Sequence, residues 1–343
     1  MKMQAALWYG PEEMRVEEVE IPQINPDEVL IRIGAAMTCG TDFKLFRKGH
    51  PMLVKSIPAP FGHEMAGTIA EVGSQVRRFH VGDRVVAANS APCGDCFFCH
   101  REQENLCENL EFLTGAYAEY IRVPAKIVQK NLYKIPAGLS FREAAVTEPL
   151  ACAVHCIDKA IQRTDQTVCI IGAGPCGLFF VQLGKLYGLK VIVLGRGEEK
   201  LNVAKGLGAD HIVSSLHEGY LERVKDLTQG NYGPDLVIEG AGQPATWELA
   251  TRLVRKGGRV WFYGGCPRGT QVSLDTHKLH YQEVSMHGVF HHTPKYFEKS
   301  LSLIVEGKIN VRPLIVGETK LKDLNQIFRK GAVENPLKIA VIP

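Results

Sequence analysis

"TVCIIGAGPCGLFFVQLGKLYG", residues 167–188, decides how the chain is read. Its first five residues are a β-branched, apolar run, the composition of a buried strand. From Pro175 onward the apolar residues recur at helical spacing. Between the two lies Gly172-Ala173-Gly174-Pro175-Cys176-Gly177. In such a turn the first glycine permits the tight bend and the second lets backbone approach a pyrophosphate. The third lets helix and strand pack closely, and the helix N-terminus attracts the phosphates. A Gly-x-Gly-x-x-Gly pattern alone is weak. Set between a strand and a helix, it reads as a dinucleotide-binding turn.

The same alternation continues downstream. VIVLG (191–195), HIVS (211–214), LVIE (236–239), RVWFYG (259–264) and VSMHGV (284–289) alternate with helical stretches such as EEKLNVAKGLG. Six apolar strands separated by helices predict a doubly wound parallel sheet, covered on both faces. The first 150 residues read differently. EVLIRIGA, GTIAEVG, DRVVAA and YAEYIRVP are short strand-like pieces broken by Gly and Pro, the pattern of an irregular all-β region. After about residue 291 come one helix, PKYFEKSLSLIVEG, and a last strand, LKIAVIP.

A length of 343 residues suits two domains, and 45% apolar with 22% charged residues is the balance of a soluble globular protein. A formal net charge of +3 offers no broad basic surface, so nucleic acid is not an expected partner. The opening segment MKMQAALWYGPEEMRVEEVEIP has no signal-peptide pattern, and no run of eighteen apolar residues suggests a membrane span. A cytoplasmic, reducing environment is therefore expected, where clustered cysteines more often bind metal than form disulfides.

Four of the ten cysteines fall within residues 93–107. Two residues separate each of Cys93, Cys96 and Cys99, and seven more precede Cys107. That spacing lets the chain wrap one tetrahedral zinc ion, and four thiolates leave no position for substrate. An iron–sulfur centre also uses four cysteines, but the compact loop favours structural zinc. A catalytic zinc needs three protein ligands and an open position. Cys39 in MTCGTDFK and His63 in FGHEMAGTIAEVG are candidates, with Glu64 beside His63 and Glu148 in TEPLACAVH available to complete the set.

GHEMAGTIAEVGSQV, the Cys-Gly-Thr-Asp of 39–42, the four-cysteine lobe, Glu-Pro-Leu at 148–150 and the glycine turn follow one another in a familiar order. The chain resembles the zinc-dependent medium-chain dehydrogenase/reductase (alcohol dehydrogenase) family over essentially its whole length. It looks most like the sorbitol/polyol and threonine dehydrogenase branch, because Glu148 stands where ethanol-type enzymes carry a third zinc cysteine. The resemblance implies an α/β two-domain fold. An irregular all-β (GroES-like) catalytic domain, 1–151 and 291–343, carries a Rossmann domain inserted at 152–290.

It further implies that Cys39, His63 and either Glu64 or Glu148 bind catalytic zinc. Asp42 would orient His63, Thr41 would take the substrate proton, and Lys338 would supply a cation near Glu64 and the cofactor phosphates. Where many relatives carry a proton-relaying histidine this chain has Lys44, and an ammonium is a poor proton acceptor. Cys152 and His155 are read as core residues of the helix after Glu148. His291 and His292 are either cleft or surface residues.

The cofactor-binding set comprises Gly172, Gly174, Pro175, Cys176, Gly177, Gly195, Arg196, Lys200 and Lys338. Twenty-three positions after Gly172 the second strand ends in Leu194-Gly195-Arg196-Gly197. No carboxylate stands there to bind a ribose 2′-hydroxyl, and a guanidinium can hold a 2′-phosphate bidentately. NADP(H) is therefore expected over NAD(H). The expected protein is a homodimer or homotetramer with two zinc ions per chain. It would interconvert a secondary alcohol of the polyol, sugar or hydroxy-amino-acid class and its ketone. The competing expectations are an NAD(H)-dependent threonine- or sorbitol-type dehydrogenase, and a catalytically silent nicotinamide-binding protein.

Overall fold

The structure is a computed structural model and describes residues 1–50, 52–334 and 336–343. Six parallel strands form one sheet: Thr167–Ile171 (β1), Lys190–Gly195 (β2), His211–Ser214 (β3), Leu236–Glu239 (β4), Arg259–Phe262 (β5) and Ser285–Gly288 (β6). Their order is 3-2-1-4-5-6, so the direction of winding reverses between β1 and β4. Such a reversal opens a crevice at the carboxyl ends of the strands, where dinucleotides bind. β1 is buried at every position, as a strand covered on both faces must be. The side chains of Ile192, Leu194, Val237 and Val260 build the core beneath the helices.

A second, mixed sheet has seven strands. Its main order is Leu132–Lys134, Arg84–Ala87, Met65–Val72, Val29–Met37, Lys338–Ile342 and Ile315–Lys320, and Tyr120–Val123 also pairs with Val29–Met37. A smaller sheet joins Glu13–Glu20, Lys2–Gly10 and Ala59–Pro60. By contact density the chain divides into two compact units. One is 1–151, 292–307 and 311–343; the other is 152–291 and 308–310. Among the described residues no helix is long and apolar enough to cross a membrane.

Register explains how distant residues meet in the first unit. Val29–Met37 ends at the residue preceding Thr38 and Cys39. Its antiparallel neighbour begins at Met65, paired with Ala36, so His63 and Glu64 enter at the same end. The last strand pairs Ala340 with Met37 from the other side, which brings Lys338 there too. Three strands thus deliver their chemically active residues to one point.

Candidate metal and cofactor sites

Cys39 caps the helix Gly40–Lys48. Its sulfur accepts from Thr41 N at 3.5 Å, while Asp42 Oδ2 accepts from Cys39 N at 3.1 Å. This reciprocal cap fixes both side chains at the helix start. The other oxygen of Asp42 lies 2.9 Å from His63 Nδ1, and the Tyr117 hydroxyl donates to Asp42 Oδ2 at 2.5 Å. Asp42 and Tyr117 are fully buried. The imidazole is therefore held in one orientation, with Nε2 left for another partner, as a carboxylate orients a metal-binding histidine.

The donor atoms of Cys39, His63 and Glu64 all lie within 4.8 Å of one another. Thiolate, imidazole and carboxylate together are a donor set that zinc accepts. The electrostatics agree. Burial disfavours a charge on His63, but Asp42 and Cys39 outweigh it and raise its pKa well above the ordinary value. The surroundings of His63 thus favour positive charge, which a metal cation supplies. Zinc fits these residues.

Lys338 neutralises Glu64, its ammonium lying 2.6 and 2.5 Å from the two carboxylate oxygens and 3.1 Å from the Thr38 carbonyl. Burial pushes Glu64 up to about 7 against the pull of Lys338. Glu148 is buried, and its pKa is raised by that burial. It is not within the three-donor cluster; its Oε1 lies 3.7 Å from His292 Nε2, which is 3.0 Å from Asn89 Oδ1. Thr41 is half-buried and Lys44 exposed on the same helix. The pKa of His50, which sequence reasoning passed over, is lowered by burial and by the nearby His63 and Lys44. Nothing local in the sequence distinguishes it. His292 is a buried residue, not a surface one, and His155 is buried with Nδ1 donating to the His291 carbonyl at 2.7 Å.

The four-cysteine lobe is a separate cage. Three of its sulfur pairs are Cys93–Cys107 at 3.4 Å, Cys96–Cys99 at 3.5 Å and Cys93–Cys99 at 3.9 Å. Zinc–sulfur bonds of about 2.3 Å in a tetrahedron put the sulfurs about 3.8 Å apart. Disulfides would need about 2.05 Å, and all four are free thiols. Backbone N–H groups of Cys93, Gly94 and Asn109 donate to these sulfurs at 3.2–3.3 Å. The Asp95 N–H helps pull Cys93 down to about 6, whereas burial pushes Cys99 up to about 12. Four thiolates coexist here only around a shared cation, and zinc fits.

In the second unit Gly172 has φ +107°, a conformation that glycine adopts without strain. A Cβ on Gly177 would lie 1.9 Å from the Gly172 carbonyl oxygen, so only glycine lets the helix sit against the turn. Pro175 opens the helix Pro175–Leu186, and Tyr263 Oη lies 3.2 Å from Cys176 Sγ. Gly195 is buried at the end of β2, and Arg196 beyond it is exposed with no ion pair among the described residues. Lys200 is half-buried, and burial lowers its pKa. Ser215, also missed in the sequence, fixes the strand tip by donating from N and Oγ to the Gly195 carbonyl at 2.9 and 3.2 Å.

Comparison with known proteins agrees with both halves of this arrangement. Residues 25–137 match the model of the alcohol dehydrogenase GroES-like domain, and residues 175–306 that of zinc-binding dehydrogenases. Sorbitol dehydrogenase of Bacillus subtilis (strain 168) is 32% identical, over 99% of this chain and 97% of that protein. L-threonine 3-dehydrogenase of Bacillus velezensis is 33% identical, over 96% and 95%. A candidate zinc-binding dehydrogenase of Sinorhizobium meliloti 1021, solved with NADP bound, superposes with a TM-score of 0.92 at 31% identity over all of both chains. The chain belongs to the zinc-dependent medium-chain alcohol dehydrogenase family, and its activity is that of an NAD(P)-dependent alcohol or polyol dehydrogenase.

Proposed function

We propose that this enzyme interconverts a secondary alcohol bearing neighbouring polar groups (a polyol, sugar or hydroxy-amino acid) and its ketone, with NADP(H) preferred. The observation that carries the zinc-centred reading is the Cys39–His63–Glu64 donor cluster, oriented by Asp42 and Tyr117. Cys39, His63 and Glu64 hold the catalytic ion, and Lys338 offsets the charge of Glu64. Bound zinc supplies Lewis-acid polarisation of the substrate oxygen. Thr41 takes the hydroxyl proton. Asn89, Glu148 and His292 form a buried polar group that suits a hydroxyl-rich substrate better than an alkyl chain. Cys93, Cys96, Cys99 and Cys107 hold a second, structural zinc. The ten free thiols suit a cytoplasmic setting.

A screen of polyols, sugars, threonine and simple alcohols with both cofactors, followed by nicotinamide absorbance, tests this reading. Turnover of polyhydroxylated substrates above simple alcohols is expected; inactivity of the zinc-loaded enzyme with all of them would overturn it. Asp42→Asn removes the charge that orients His63 and should lower kcat/KM about 10- to 100-fold. Unchanged kinetics with unchanged zinc affinity would exclude Asp42 as the orienting group.

Cofactor choice is a further test. Arg196 is free to make charge-assisted bonds to a 2′-phosphate, each worth about 1.5–3 kcal/mol. Exposure holds the preference near the lower bound, so NADP(H) should exceed NAD(H) by roughly tenfold in kcat/KM. Gly195→Asp with Arg196→Ile should reverse the order. The new Cβ would stand 3.3–3.4 Å from Ala173 and Leu201, a fit that needs only a small shift. A wild type that prefers NAD(H), or a double variant with unchanged preference, would refute Arg196 as the phosphate reader.

A further inference from the structure

A cavity of about 350 Å³ opens between the helices Tyr220–Asp226, Pro244–Leu253 and Thr276–Tyr281. None of the residues lining it belongs to the glycine turn or to the tip of β2. Its charged lining is Glu222, Lys225, Glu248, Arg252, Asp275 and Lys278. Two of the three acids are partly committed: Asp275 Oδ1 caps its helix by accepting from Lys278 N at 3.1 Å, and Glu248 Oε1 accepts from Ser273 N at 2.9 Å. The cations are not. Lys225, Arg252 and Lys278 form no ion pair among the described residues, and Lys278 Nζ donates only to the Arg252 carbonyl, at 3.1 Å.

We propose that this cavity binds a small phosphate monoester, with Lys225, Arg252 and Lys278 as its three donors. Lys225, Arg252 and Lys278 face one space without an ion pair to the carboxylates that share it, and an anion seated among the three relieves their mutual repulsion. Burial and the neighbouring Lys225 pull Lys278 down to about 8 against the opposing charge of Asp275, with Arg252 acting in the same direction as Lys225. A phosphate monoester brings close to two negative charges at neutral pH and three strong acceptor oxygens, one for each cation. Arg252 can grip it bidentately and the lysines as point charges. The volume is at the lower end for small-molecule sites, larger than phosphate itself requires, which leaves room for a short organic carrier.

The test uses the zinc-loaded enzyme saturated with NADPH, so that the phosphate-binding turn is already filled. Inorganic phosphate and glycerol 3-phosphate are titrated by calorimetry at constant ionic strength. At least glycerol 3-phosphate should bind, and binding of both would show that the phosphoryl group alone suffices. Arg252→Gln should weaken binding roughly tenfold, and Lys225→Met with Lys278→Met by more, with turnover unchanged in each. Should the double variant fail to fold, Arg252→Gln alone decides, since its side chain is exposed. Binding of neither probe by the wild type, or equal binding by wild type and natively folded variants, would overturn the proposal.

Discussion

His63→Ala should reduce turnover by about 10³ or more while the dissociation constant for NADPH changes less than twofold. The argument begins with position. His63 lies in the unit of residues 1–151, whereas the glycine turn belongs to the unit of residues 152–291. Losing the imidazole leaves only Cys39 and Glu64 of the donor cluster, one fewer than the three protein ligands of a catalytic zinc. Lewis-acid stabilisation is worth several kcal/mol of barrier, and each 1.36 kcal/mol is about tenfold in rate. The substitution also strips Asp42 of a buried hydrogen-bond partner, at a cost of about 1–3 kcal/mol of stability. Circular dichroism and NADPH titration separate that cost from the catalytic loss. Wild-type turnover in this variant would refute the zinc-centred mechanism.

The parts of this site differ in how far the sequence discloses them. The glycine turn and the four-cysteine lobe are local: each is a spacing within fifteen residues, because the chemistry is done by neighbouring backbone and side chains. The parallel strands are legible for a related reason, since a strand buried on both faces must be a continuous apolar run. The environment of the catalytic donors is not local, and it is the family resemblance, not any spacing, that puts Lys338 near Glu64. Lys338 meets Glu64 across 274 positions, Tyr117 meets Asp42 across 75, and His292 meets Asn89 across 203.

Those meetings follow from sheet register, which no window of sequence contains. The parallel pairing of Ile315–Lys320 with the last strand is hidden for the same reason. Sequence spacing also leaves Glu64 and Glu148 undistinguished, whereas their placement differs. Both are buried acids in the same neighbourhood, and only Glu64 has its oxygen grouped with Cys39 and His63. The phosphate cavity was invisible because Lys225, Arg252 and Lys278 sit on three different helices and each, alone, reads as an ordinary surface cation.

Cys96→Ser should lower the zinc content by one ion and lower the melting temperature, with zinc at the Cys39–His63–Glu64 cluster retained at first. Cys96 is 8% exposed, with its sulfur 3.5 Å from Cys99. A serine hydroxyl is not ionised near neutral pH and cannot replace the thiolate, so the cage falls to three donors. Structural zinc contributes on the order of 10 kcal/mol or more to small domains that depend on it. Here part of that is retained, because the lobe is anchored at other points. The Lys130 ammonium donates to the Pro92 and Cys93 carbonyls at 3.0 and 2.9 Å, and Asn131 donates to the Ser90 carbonyl at 2.8 Å. Each kcal/mol lost corresponds to a fall of about 2–4 °C in melting temperature for a domain of this size. Elemental analysis and calorimetry on the purified variant measure both quantities. Activity lost at unchanged zinc content and unchanged melting temperature would mean that the lobe acts in the chemistry and not in holding the fold.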